Sequence, residues 1–127
     1  MYPTARRLCM LAALLLALAT ATGALAAHAL RTRLDAQQSG LLQTAVYYQF
    51  FHALGLLGIG LLADRLRSRC IQLSGWLVFA GVVLFSGSLY LLLAGVPRWL
   101  GVLTPLGGAC LIAGWIACVV ALLRAPA

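Results

Sequence analysis

The stretch AQQSGLLQTAVYYQFFHALGLLGIGLLA, residues 36 to 63, runs for 28 residues without a charge. A helix rising about 1.5 Å per residue needs about 20 apolar residues to cross a hydrocarbon core, and this run exceeds that length. Three more uncharged runs accompany it, Leu8 to Leu30, Cys70 to Pro97 and Trp99 to Leu123, of 23, 28 and 25 residues. The nine arginines and two aspartates of the 127-residue chain fall only outside these runs. Hydrocarbon offers no water to satisfy a peptide group, and none of the runs alternates as a barrel strand does, so each is expected to be a helix.

The expected fold is an all-α integral membrane protein, a four-transmembrane-helix bundle that makes one membrane domain of residues 1–127. Its helices are placed at about 8–30, 41–63, 71–94 and 105–123. With 64% hydrophobic and 9% charged residues, the composition leaves almost nothing for a soluble domain. The net charge of +7 is spread between spans rather than massed on one face, so the membrane accounts for it and nucleic acid is not an expected partner.

Four spans put the amino end, the DRLRSR loop and the carboxyl end on one side. That side carries Arg6, Arg7, Arg65, Arg67, Arg69 and Arg124, against Arg31, Arg33 and Arg98 on the other. The positive-inside rule then predicts both termini in the cytoplasm. The first run also resembles a secretory signal, with Ala24-Leu25-Ala26 before Ala27, but its 23 residues exceed the usual h-region and a retained helix is expected.

Between the first two spans, Leu30 and Leu34 share a helical face and Arg31 pairs with Asp35 at i, i+4, which predicts a short interfacial helix at about 29–38. Thr104 is placed as the cap of the fourth helix and Pro105 as its first residue. Ala19, Gly23 and Ala27 form a small-residue stripe, and with Gly87, Gly107, Gly108 and Gly114 they are the expected helix-packing positions. Cys9, Cys70, Cys110 and Cys118 lack any metal-ligand spacing and read as small apolar residues.

The polar residues within the spans are not scattered. Counting 1.5 Å per residue from Leu41 places Tyr47 and Tyr48 about 10 Å deep, Gln49 about 12 Å and His52 about 16 Å, all in the outer half. Ser86, Ser88 and Tyr90 of helix three, His28 of helix one and Thr104 of helix four fall in the same half. Thr44, Tyr48 and His52 recur at i, i+4, i+8 with Gln49 beside them, one stripe that should face protein or water rather than lipid. Such a layer either locks helix packing through hydrogen bonds or lines a ligand site. Haem held between His28 and His52 is disfavoured, because His28 lies only about 3 Å below the outer end.

No carboxylate lies within a span, and no catalytic triad, Cys-His pair or glycine-rich phosphate loop is evident, so no catalytic or metal-ligating residues are assigned. Proton-coupled transport would ordinarily use an intramembrane acid, which is lacking.

T-G-A-L-A-A-H-A-L at 22–30, T-x-x-Y-x-x-x-x-H-A at 44–53, F-S-G-S-L-Y at 85–90, T-P-x-G-G at 104–108 and G-W at 114–115 resemble the domain of unknown function 423 family of small inner-membrane proteins, to which eukaryotic transmembrane protein 256 is similar. The resemblance spans nearly the whole chain. It implies a four-helix protein of the bacterial inner (plasma) membrane and marks Gly23, His28, Tyr47, His52, Ser86, Gly87, Ser88, Tyr90, Thr104, Pro105, Gly107 and Gly108, positions concentrated in the polar layer. It implies no activity. Ala26 stands where the family often has glycine.

The function expected on these grounds is that of a non-enzymatic accessory or partner-binding subunit without a cofactor, in contact with the lipid bilayer and with a homo-oligomer or membrane-complex partner. The alternative is an outward-facing pocket that binds a small amphipathic molecule, a quinone or lipid, through His52, Gln49, Tyr48 and Ser86, or that passes a small solute.

Overall fold

The computed structural model describes residues 1–126 and is all-helical. Helix α1 covers Pro3–His28, α2 Ala36–Leu66, α3 Arg69–Leu93 and α4 Leu103–Leu123, the last preceded by a 3-10 turn at Arg98–Val102. All four are long and apolar enough to cross a membrane. Among the described residues α2 and α3 form the central pair, with α1 packed on α2 and α4 on α3, while α2 and α4 make no extended backbone contact. Both termini and the α2–α3 turn lie at one end, the terminal end. The α1–α2 and α3–α4 connections lie at the other, the connection end.

Each interface is a seam of small and branched residues at helical spacing. On α2 it runs through Leu42, Ala45, Gln49, Ala53, Leu56, Ile59, Gly60 and Ala63, and on α1 through Ala5, Leu8, Ala12 and Ala19. A Cβ on Gly60 would stand 2.6 Å from the Cys9 sulfur and 3.4 Å from the Ala5 carbonyl oxygen. Helices without a hydrophobic drive between them gain from such close approach through dispersion. The α4 seam is Gly107, Leu111, Gly114, Cys118 and Ala121. It is pinned to α3 by Ser74, whose hydroxyl donates to the Gly114 carbonyl at 2.8 Å, and by the Cys70 thiol, 3.3 Å from the Ala117 carbonyl.

The helix ends follow from local chemistry and correct several expectations. Residues 29–34 form turns rather than the interfacial helix expected at 29–38. Asp35 does not serve as a partner for Arg31 on that helix. Its carboxylate accepts from the Gln38 backbone N–H at 2.7 Å, while the Gln38 side chain accepts from the Asp35 N–H, a capping box that starts α2 at Ala36, five residues before the expected Leu41. Helix α1 likewise starts early, at Pro3, because proline suits the first turn and Arg6 and Arg7 can extend their charges past the end of the span.

Thr104 does not cap α4, which begins at Leu103. Its hydroxyl turns to Ser88 instead, 2.6 Å away, and Pro105 sits third in the helix, still within the turn whose N–H groups lack carbonyl partners. Helix α3 ends in a Schellman motif: Gly95 takes φ 87°, its N–H bonds to the Leu92 carbonyl, and Val96 bonds back to Leu91. Helix α2 ends on Arg67 at φ 49°, and Ser68 then caps α3 by accepting from the Ile71 N–H at 3.3 Å.

Candidate functional site

The polar residues near the connection end divide into two groups with different neighbours. The first is interior. Gln49, 4% exposed, donates from Nε2 to the Leu15 carbonyl of α1 at 2.9 Å and accepts from the Tyr90 hydroxyl of α3 at 2.7 Å. Ser86 donates to the Ala45 carbonyl of α2 at 2.8 Å. Ser88 donates to the Phe85 carbonyl, so Thr104 supplies the proton between the two hydroxyls. Three helices are thus tied together by Gln49, Ser86 and Tyr90, and the fourth is tied to α3 by Thr104. Among the described residues no buried side-chain nitrogen or oxygen lacks a partner.

The second group lies on the side of α2 that faces α4. Thr44 bonds only to the Gly40 carbonyl of its own helix at 3.0 Å, and His52 Nδ1 only to the Tyr48 carbonyl at 2.8 Å. The expected single stripe of Thr44, Tyr48, Gln49 and His52 is therefore two faces. Consecutive residues diverge by about 100° around a helix, so Tyr48 and Gln49 cannot share a direction. Gln49 joins the seam, whereas Thr44, Tyr48 and His52 border an open flank.

Because the α2 and α4 backbones stay apart, side chains from three helices wall a cleft of about 510 Å³ between them. Tyr48 stacks on Phe85 of α3 with ring centroids 4.2 Å apart, and His52 stacks on Tyr48 at 5.4 Å. Across the cleft stands Trp115 of α4, 6.2 Å from the His52 ring. Its indole lies over Gly55, where an added Cβ would come within 2.5 Å of the ring, so glycine there admits the tryptophan. Gly108, Leu111 and Ile112 complete the α4 wall, and Tyr47 and Phe51 the rim. His52 lies about 24 Å along a helix about 46 Å long, close to the middle of its span.

His28 is exposed at the end of α1, its Nδ1 bonded to the Ala24 carbonyl at 3.0 Å, and it takes no part in the cleft that holds His52. Tyr47 is exposed and accepts from the Gln43 side chain at 3.0 Å. Of the packing positions, Gly107 meets the Phe85 backbone and Gly114 has Val78 and Ser74 within 3.2 Å of an added Cβ. Gly23 and Gly108 make ordinary contacts with Val46 and the Phe85 ring, at 3.5 and 3.8 Å. Ala19 is buried but Ala27 is exposed, so the α1 stripe packs at only one end. Gly87 has open space, with nothing within 4 Å of an added Cβ, because α1 and α3 diverge beside it.

Phe85, Gly55 and Trp115 were not legible as site residues. The available signal was Gly55, three residues beyond His52 on the stripe, where a glycine implies a close neighbour. No group of three or more His, Cys, Asp and Glu among the described residues could hold a metal ion.

Four apolar spanning helices, with a polar network inside and an aromatic cleft on one flank, define a small multi-pass membrane protein. Residues 22–108 match the family described as Protein of unknown function (DUF423). The chain is 44% identical over 108 residues to UPF0382 membrane protein YwdK of Bacillus subtilis, covering 84% of this chain and 88% of that one. To a UPF0382 membrane protein of Staphylococcus epidermidis it is 43% identical over 107 residues, 84% and 87% of the two chains. UPF0382 inner membrane protein YgdD of Escherichia coli is 38% identical over 104 residues, 82% and 79% of the two chains. The chain belongs to the DUF423 family and is a multi-pass protein of the bacterial inner (plasma) membrane. No solved structure matches it.

Proposed function

We propose that this protein is a non-enzymatic accessory component of the inner membrane that acts by binding, and that its binding element is the α2–α4 cleft, which takes a small amphipathic molecule. The observation that carries this reading is the contrast between the two polar groups. Gln49, Ser86, Ser88 and Thr104 have partners in other helices, whereas His52 bonds only to its own helix and turns its ring to a cleft of about 510 Å³ at mid-span. A polar ring against hydrocarbon is costly, and apolar clefts with a few convergent polar groups are common ligand sites. A second reading, in which a partner protein or a second copy covers the same flank, draws on the exposed Tyr47, Phe51 and Ile112 around it.

Native mass spectrometry of protein extracted in mild detergent separates the two. A bound small mass that His52→Ala removes supports the ligand reading. A dimer or a heteromeric mass supports the partner reading. An empty monomer overturns both.

A further inference from the structure

The hydrogen bonding of His52 fixes the polarity of what the cleft can hold. Its Nδ1 lies 2.8 Å from the Tyr48 backbone carbonyl, and a carbonyl only accepts, so Nδ1 carries the proton. In the neutral ring the remaining nitrogen, Nε2, then offers a lone pair and no hydrogen. No residue among those described hydrogen-bonds to Nε2, and the ring borders the cleft. The side chain therefore presents an acceptor, near the middle of the membrane, to a site whose other walls are aromatic and aliphatic.

The walls set the shape. Phe85, Tyr48 and His52 stack in a column with centroids 4.2 and 5.4 Å apart, so the faces of Tyr48 are taken by its neighbours, and Trp115 of α4 stands tilted beside His52. The aromatic edges that line the cleft suit the face of an aromatic head ring in T-shaped contact, with an apolar tail leaving past the exposed Ile112 toward lipid.

On the cleft-binding reading given above, we propose that the occupant is a flat-ring amphiphile whose head group donates a hydroxyl hydrogen to His52 Nε2, a hydroquinone-type molecule rather than its oxidised quinone. The quinone has the same outline, but its two ring oxygens only accept. Facing Nε2, a quinone oxygen sets lone pair against lone pair, and sites built around a hydrogen bond discriminate strongly against analogues that cannot form it.

The test uses the full-length protein in lipid nanodiscs under anaerobic conditions, titrated with decyl-benzohydroquinone, with the matching decyl-benzoquinone and with the dimethyl ether of the hydroquinone. Binding is read by native mass spectrometry. The hydroquinone should bind saturably and about tenfold more tightly than the other two, the size of one hydrogen bond. His52→Phe keeps a flat ring but removes the acceptor, and should bring the ratio of affinities to about one. Ile112→Trp, at a rim position 64% exposed, should block all three ligands. Equal affinity of wild-type protein for hydroquinone and quinone, or a preference that survives His52→Phe, overturns the hydroxyl-donor proposal and leaves the cleft reading intact. Saturable binding of none of the three overturns the hydroxyl-donor proposal, and the His52-dependent mass in the extracted protein then decides the cleft reading on its own.

Discussion

Gln49 illustrates how much one side chain can organise in a membrane interior. It reaches α1 through its amide nitrogen and α3 through its oxygen, so replacing it breaks two interhelical bonds. Measured couplings of this kind in membrane proteins average about 0.6 kcal/mol and reach about 1.7 kcal/mol. Gln49→Ala is therefore expected to lower stability by roughly 1–2 kcal/mol, read by reversible unfolding in mixed detergent micelles. A double-mutant cycle with Tyr90→Phe should return a favourable coupling of about 0.6 kcal/mol, and additivity of the two changes would mean that the bond carries no net energy. The sequence revealed that Gln49 is polar and deep. It did not reveal that Gln49 and Tyr48 have different fates, because periodicity assigns a stripe only to within a residue's width, and the neighbouring helix decides which side of that stripe is buried.

At the scale of a helix, the glycines that looked alike in sequence separate sharply. Gly107 lies against the Phe85 backbone, which cannot move aside without parting α3 from α4, so Gly107→Ala is expected to cost about 1–3 kcal/mol. Gly87 faces open space, so Gly87→Ala should be neutral or stabilising within about 1 kcal/mol. Comparable losses from both substitutions, measured in the same unfolding assay, would count against the α3–α4 and α1–α3 geometry. The start of α2 offers a third comparison. Asp35→Ala removes the capping box, at a cost of about 1 kcal/mol, and amide exchange should accelerate in residues 36–39 and not in the rest of the helix. The capping box was readable as Asp35 followed three residues later by Gln38. The competing i, i+4 pairing of Arg31 with Asp35 is the weaker interaction in an exposed turn, and the two N–H groups of the helix start outweigh it.

For the whole molecule, four helices were legible because charge and hydrocarbon are mutually exclusive over such lengths, and the eleven charged residues punctuate the chain almost as loops do. The neighbours of each helix were not legible, since all four are apolar nearly all round and no amphipathic face announces its partner. The cleft between α2 and α4 is a product of that hidden arrangement. Six arginines at the terminal end against three at the connection end argue for cytoplasmic termini. A green fluorescent protein fused after the carboxyl terminus should fluoresce and an alkaline phosphatase fused there should stay inactive. The opposite pair of results would place the cleft's nearer mouth on the cytoplasmic side.

The turn between α2 and α3 also constrains how the chain reaches the bilayer. Only Arg67 and Ser68 separate the two helices, a bridge of about 10 Å at full stretch. With no slack to park one span at the surface while the other crosses, α2 and α3 are expected to enter as a single hairpin, with the basic residues Arg65, Arg67 and Arg69 gathered at its bend.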